Sequence, residues 1–301
     1  MKKFKKIVLM DGAGFPEDSL CLLEEYAEQV VNYDSMPESE EEKIRRIGDA
    51  DAVLLSFRSQ LRRNVIEACP NIRYIGMCST LFSKESANVD IYAAEEKGIV
   101  VKGIKDYGDQ GVVEFVIARV LDFFHGWNGP QWKPQMTELT GLPVGIAGLG
   151  TTGIMVAKAL KVFGADVYYY SRTRKEDLEQ ELGITYLPLD QFLSKVEIMT
   201  MHLTKFTNLM GPEEFHSFGD GKIIINTSLG PLWDREAMKV WLENPSNYYI
   251  CDSCGMGDCA DLYQGENVLF VNKVAGTSMQ SVRRLAQKAT DNVKEYLLAC
   301  E

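Results

Sequence analysis

The residues most able to do chemistry by type and spacing are three glycines. Gly148, Gly150 and Gly153 form G-x-G-x-x-G within Pro143-Val144-Gly145-Ile146-Ala147-Gly148-Leu149-Gly150-Thr151-Thr152-Gly153. An apolar run precedes them, a helix-patterned stretch (Ile154 to Leu160) follows, and a second apolar run, Val167 to Tyr170, comes next. That order is strand, turn, helix, strand, the setting in which the motif binds a dinucleotide. Gly148 permits the tight turn. Gly150 lets backbone approach a pyrophosphate at the helix start, with Thr151 and Thr152 beside it. Gly153 lets helix and strand pack closely.

The end of the second strand bears on cofactor choice. An NAD site places an acidic residue there for the ribose hydroxyl. This chain has Ser171-Arg172-Thr173-Arg174, with no carboxylate to repel a 2′-phosphate. Two guanidiniums match phosphate through their planar forks, and the two hydroxyls add hydrogen bonds. The expectation is NADP(H) ahead of NAD(H).

Seven cysteines include Cys251-x-x-Cys254 and Cys259, a spacing that raises a redox or metal site. A three-sulfur site needs a fourth ligand, and only His125, His202 and His216 offer imidazoles. No metal is expected, and the odd cysteine count fits reduced thiols. The chain has 301 residues, 46% hydrophobic, with net charge -11. That length fits about two domains. The acidic balance argues against a grip on nucleic acid or anionic lipid. No apolar run is long enough to span a membrane. The basic start, Met1 to Lys6, leads into an apolar run that ends at Asp11-Gly12, too short for a signal peptide. The expectation is a cytoplasmic protein.

Elements must position these groups. Ile7–Met10, Val30–Tyr33, Ala52–Leu55, Tyr74–Met77 and Ile99–Val101 read as strands. Ser19–Gln29, Pro37–Arg46 and a segment through Val65 read as helices between them, and Gln110–Phe124 as a long helix. Strands alternating with helices indicate an α/β fold of doubly wound parallel sheets. Gly129, Pro130, Pro134 and Gly141 punctuate a loop before the glycine motif.

Further motifs accompany the glycine turn. They are Thr137-Glu138-Leu139-Thr140-Gly141, His202-Leu203-Thr204, Ile225-Asn226-Thr227, Asp234 to Met238, Cys251-Asp252 and Val274-Ala275-Gly276-Thr277. Earlier come Asn88-Val89-Asp90 before Gly98 to Val101, and Tyr107-Gly108 before the helix with Glu114. With these, the chain resembles the D-isomer-specific 2-hydroxyacid dehydrogenase family over nearly its whole length. The resemblance implies a flavodoxin-like substrate domain (1–104 with 277–301) and an inserted Rossmann-type cofactor domain (105–276). It implies an active site in the cleft and a homodimer acting on a small-molecule substrate. It also implies that Asn226, Thr227 and Asp252 line the cofactor and that His202 sits near its edge.

The family's chemistry rests on an Arg, a Glu and a His, and this chain departs from all three. The Arg slot in Asn-x-x-Arg-Gly reads Asn226-Thr227-Ser228-Leu229-Gly230. The His slot before an apolar residue and Ala-Gly reads Lys273-Val274-Ala275-Gly276. The Glu slot after the strand-end Asp holds none, with Asp258 one position away. The turn that grips substrate carboxylate is replaced by Ser79-Thr80-Leu81-Phe82. Removing one partner of a buried charged pair costs about 2–5 kcal/mol, so the family activity does not carry over unchanged. A lysine is protonated at neutral pH and can donate to a developing oxyanion, which favours reduction. Tyr107 is a secondary donor candidate. Three readings stand: an NADPH-dependent reductase of carbonyls or imines using Lys273, a non-catalytic nucleotide- or partner-binding homologue, and an ordinary 2-hydroxyacid dehydrogenase using Lys273 and Asp258 as substitutes.

Overall fold

The computed structural model describes residues 2–205 and 207–300. Its contacts fall into two compact units: one runs to Tyr107 and resumes at Ser278, and the other is Gly108–Thr277.

The first unit carries strands β1 (Phe4–Leu9), β2 (Ala27–Asn32), β3 (Ala52–Leu55), β4 (Tyr74–Met77) and β5 (Val100–Gly103). Helices α1 (Cys21–Glu24), α2 (Glu40–Ile47), α3 (Arg63–Ala68) and α4 (Ile91–Glu96) connect them. The strands pair in parallel in the order β2-β1-β3-β4-β5, the flavodoxin-like order. β3 and β4 are buried at every position, as expected of strands covered on both faces. One face buries Val8, Val53, Ile75 and Met77 against α2, α3 and α4. The other buries Phe4, Leu54 and Tyr74 against Leu285, Val293 and Tyr296 of the chain's last helix.

One sequence expectation fails here. Ser19–Gln29 is not a helix: a single 3₁₀ turn (Glu17–Ser19) and the four-residue α1 give way to β2 at Ala27. The leucines and glutamates favour helix by propensity, but Phe4 N donates to Tyr26 O and Ala27 pairs with Phe4 across the sheet edge. Tertiary pairing overrides a weak local preference.

The second unit opens with α5 (Asp109–His125), then β6 (Pro143–Ala147), α6 (Thr151–Val162), β7 (Asp166–Tyr170), α7 (Glu176–Leu182), β8 (Thr185–Tyr186), α8 (Leu189–Lys195) and β9 (Ile198–Met201). It continues through α9 (Pro212–Phe218), β10 (Ile223–Asn226), α10 (Arg235–Leu242), β11 (Tyr248–Asp252), α11 (Ser253–Met256) and β12 (Val268–Val271). The all-parallel order is β12-β11-β10-β9-β6-β7-β8. Its reversal between β6 and β9 is the Rossmann switch point, where ligands bind beyond the strands' carboxyl ends. The chain closes with α12 (Met279–Ala299), in the first unit. No described helix is long and apolar enough to cross a membrane.

Candidate functional site

The glycine turn follows β6. Gly148 has φ +95°, and a Cβ there would stand 2.4 Å from His202 O. A Cβ at Gly153 would stand 2.2 Å from Gly148 O. Both positions exclude a side chain because backbone passes too close. At Gly150 a Cβ would meet nothing within 4 Å. Gly150 also starts the twelve-residue α6 with no side-chain cap. An open glycine at an uncapped helix start leaves N–H groups and positive dipole for an anion. The residues present therefore fit a dinucleotide pyrophosphate.

That geometry separates two substitutions. Gly150→Ala keeps the melting temperature within about 2 °C, since its φ of −84° suits alanine, but weakens nucleotide binding about tenfold or more. Gly153→Ala lowers both, because its Cβ meets backbone. Thermal melts and calorimetry on the two variants check this; equal behaviour would contradict it.

Thr151 is exposed beside the turn, whereas the Thr152 hydroxyl is held by the carboxylate of Asp109, at the start of α5. Asp109 was not among the sequence candidates; it lies forty-three residues away in the chain. His202 follows β9. Its backbone N donates to Ala147 O at 2.8 Å, and its Nε2 lies 3.0 Å from Thr200 Oγ1. Burial pushes its imidazole down to about 4, so it is neutral at pH 7. The unfolded chain then binds the extra proton between about pH 6.5 and 4, and stability falls as pH falls through that window. The loss reaches about 3 kcal/mol by pH 4. Urea midpoints at pH 7 and 4.5 should differ less in His202→Gln than in the parent; an unchanged difference would refute this.

The loop after β7 differs from the sequence expectation. Ser171 Oγ donates to Thr173 O, closing a small turn, and Arg172 is exposed without an ion-pair partner among the described residues. Arg174 is not free. Its Nε and Nη2 donate to Glu179 Oε1 and Oε2, both at 2.9 Å. Ser171–Arg174 contains no carboxylate, but α7 folds Glu179 back onto it. Lys175 was also missed: its Nζ donates to Leu149 O, inside the glycine turn, at 2.5 Å.

At the far strands, three loops are tied together. Asn226 is fully buried. Its Nδ2 donates to Gly230 O (3.1 Å) and Gly255 O (3.4 Å), and its Oδ1 accepts from Ser228 N (2.9 Å). The amide is thus engaged by the turn that carries Thr227 and Leu229. Leu229 is 42% exposed at its tip. Asp252 is buried at the end of β11; Oδ1 accepts from Gly255 N at 2.7 Å and Oδ2 from Ala275 N at 2.8 Å. Burial raises its carboxyl above the usual range, and those N–H groups offset part of the rise. Ser253 N donates to Lys273 O at 3.0 Å, and Gly230 N to Cys254 O at 2.9 Å. One segment, Asp252–Gly255, thus clasps both the Leu229 turn and the Lys273 loop. Lys273 itself is exposed.

Asp258 is exposed and pairs with Arg235 Nη2 at 2.7 Å, which holds its carboxyl below the usual range. Cys251, Cys254 and Cys259 are free thiols. Burial pushes Cys251 up to about 12 and Cys254 up to about 11, which keeps both protonated and unreactive at neutral pH. No three metal-ligating side chains converge among the described residues.

In the first unit, Ser79 is buried after β4, its Oγ 3.5 Å from Asn88 Oδ1, with Thr80 half-buried beside it. Asn88 in turn donates to Ser56 O and Ser59 O, knitting the carboxyl ends of β3 and β4. Tyr107 is half-buried, and its carbonyl accepts from Arg284 Nε at 3.0 Å.

Comparison with known proteins agrees with this architecture. Residues 121–255 match the model of the D-isomer specific 2-hydroxyacid dehydrogenase NAD binding domain. The chain is 29% identical to a hydroxypyruvate reductase of Blautia hydrogenotrophica over 97% of both chains. It is 27% identical to a glyoxylate reductase of Korarchaeum cryptofilum over 92% of this chain and 89% of that one. A solved NAD⁺-bound 3-phosphoglycerate dehydrogenase of Entamoeba histolytica shares its fold, with TM-score 0.79 and 20% identity over 99% of this chain and 96% of that one. Glycine turn, Rossmann strand order and full-length likeness agree: residues 121–255 match the NAD binding domain of the D-isomer specific 2-hydroxyacid dehydrogenases, and the chain is similar over nearly its whole length to reductases of that kind.

Proposed function

We propose that the protein is a reductase that takes NADPH ahead of NADH and reduces a small carbonyl or imine. The observation that carries this is the open, uncapped turn at Gly150 in the same unit as a clasped pair of loops bearing Leu229 and Lys273. Gly148 to Gly153 bind the pyrophosphate. Arg172 and Lys175 favour the 2′-phosphate. Thr227 lines the nucleotide, and neutral His202 packs at its edge. The bound nicotinamide supplies the hydride.

Lys273 holds the proton. As hydride adds to carbon, the C=O or C=N π pair moves to the heteroatom, which takes a proton from Lys273 Nζ, giving an alcohol or amine. The neutral amine left on Lys273 regains its proton from water. Asp252 acts as a positioning residue through Ala275 and the Ser253–Lys273 bond. Leu229 supplies apolar surface where a carboxylate-binding Arg is usual, so the preferred substrate lacks a carboxylate beside the reacting carbon. The reductase names of two relatives support the direction. A homodimer fits the open apolar side chains after α5, Trp127 (63% exposed) and Met136 (67%).

A second reading, a nucleotide-binding homologue without turnover, is favoured by one observation. Asp258, the carboxylate nearest the family's Glu slot, is engaged by Arg235 at the surface. NADPH oxidation followed at 340 nm with aldehydes, ketones, imines and 2-oxo acids separates the two. The reductase reading expects turnover greatest on uncharged carbonyls or imines, and silence across the panel would overturn it.

A further inference from the structure

The cationic loop after β7 is less cationic than its sequence. Between positions 172 and 179, Arg172, Arg174 and Lys175 are matched by Glu176, Asp177 and Glu179, three charges of each sign. Glu176 and Asp177 are exposed, but Glu179 is not a spectator. Its side chain is 15% exposed, and Oε1 accepts from Tyr169 OH at 2.8 Å as well as from Arg174 Nε. Tyr169 is itself fully buried in the core, and its hydroxyl accepts from Lys175 N at 2.8 Å. A core-anchored carboxylate therefore holds the Nε–Nη2 edge of the Arg174 guanidinium, a fork that would otherwise match a phosphate, and Nη1 lies 3.9 Å from Glu176 Oε1. Lys175 differs: its ammonium is held by one neutral carbonyl, Leu149 O.

We propose that Glu179 is the residue that limits cofactor selectivity, because it withholds Arg174 from a 2′-phosphate and leaves Arg172 and Lys175 to read it. The 2′-phosphate must compete with a bidentate carboxylate for Arg174, while NADH has nothing to compete with. Wild-type discrimination between the two nucleotides is then small, and removing the carboxylate enlarges it. Glu179→Gln keeps the shape and a partner for Tyr169 while removing the charge.

This rests on the NADPH reading above, and direct binding separates their failures. Calorimetric titration of wild type, Glu179→Gln, Arg174→Ala and the double variant with NADPH and NADH is the experiment. Glu179→Gln should tighten NADPH about five- to tenfold and leave NADH within about twofold. In the Arg174→Ala background that gain should vanish, because the two act through one pair. Equal weakening of both nucleotides in Glu179→Gln would mark a merely structural residue and overturn the proposal. So would an unchanged NADPH-to-NADH ratio, which alone leaves the NADPH reading standing if Arg172→Ala still lowers NADPH affinity. A wild type that binds neither nucleotide overturns both.

Discussion

Replacing Lys273 by alanine lowers the rate of carbonyl reduction by about 10²–10⁴-fold, the range over which a positioned proton donor acts, with nucleotide affinity unchanged. Lys273 sits on the loop after β12, and its backbone is fixed by Ser253 N and by the Asp252 clasp on Ala275. Its side chain is exposed, so truncation opens no cavity and the fold should survive. Lys273→Arg adds a sharper test. It retains the positive charge but not a readily transferable proton, so its rate falls between wild type and alanine. Single-turnover kinetics at saturating NADPH measures the step. Wild-type rates in Lys273→Ala would remove the lysine from the mechanism.

The second large effect is a gain. Leu229→Arg should raise kcat/KM for a 2-oxo acid such as glyoxylate by tens- to about a thousandfold, the range a charged clamp gives when its partner is otherwise unpaired. The turn is ready for it. Asn226 holds the loop from within, and Leu229 at the tip is exposed, so a longer side chain overpacks nothing. The same variant should lose rate on uncharged carbonyls, because the apolar wall is gone. Steady-state rates on both substrate classes test this. An unchanged preference would show that the missing Arg is not what redirects the substrate.

Much of the fold was legible in the chain. Strand–helix alternation gave two parallel sheets, and their orders are the flavodoxin-like and Rossmann ones. The glycine motif was legible because backbone geometry dictates it: no other residue satisfies the approaches at Gly148 and Gly153. The segment Ser19–Gln29 was misread because Leu, Glu and Ala favour helix locally while β1 recruits Ala27–Asn32 as an edge strand. That choice depends on a partner strand, which a local window does not contain.

The site was less legible than the fold, for a similar reason. Ser171–Arg174 looked like a purely cationic loop because Glu179 lies five residues on, in a charged helix start that resembles a solvated face. Only the turn after β7 brings it back onto Arg174. Its buried anchor, Tyr169, read simply as a strand residue. Asn226 sits in a family motif, but its full burial and its bonds to Ser228 N, Gly230 O and Gly255 O, which tie the turn together, depend on the folded loops rather than on the motif. Asp252 was placed correctly at a strand end, yet its reach to Ala275 across twenty-three residues emerges only when β11 and β12 pair.

The most direct test of the account is whether the protein binds reduced nicotinamide dinucleotide at all, and which one. Calorimetric titration of the purified protein with NADPH and then NADH measures it. Saturable one-to-one binding of both is expected, NADPH tighter by a factor below about ten, consistent with one withheld guanidinium. No heat and no saturation with either nucleotide at millimolar concentration would contradict it, leaving a chain that has the family's fold without its chemistry.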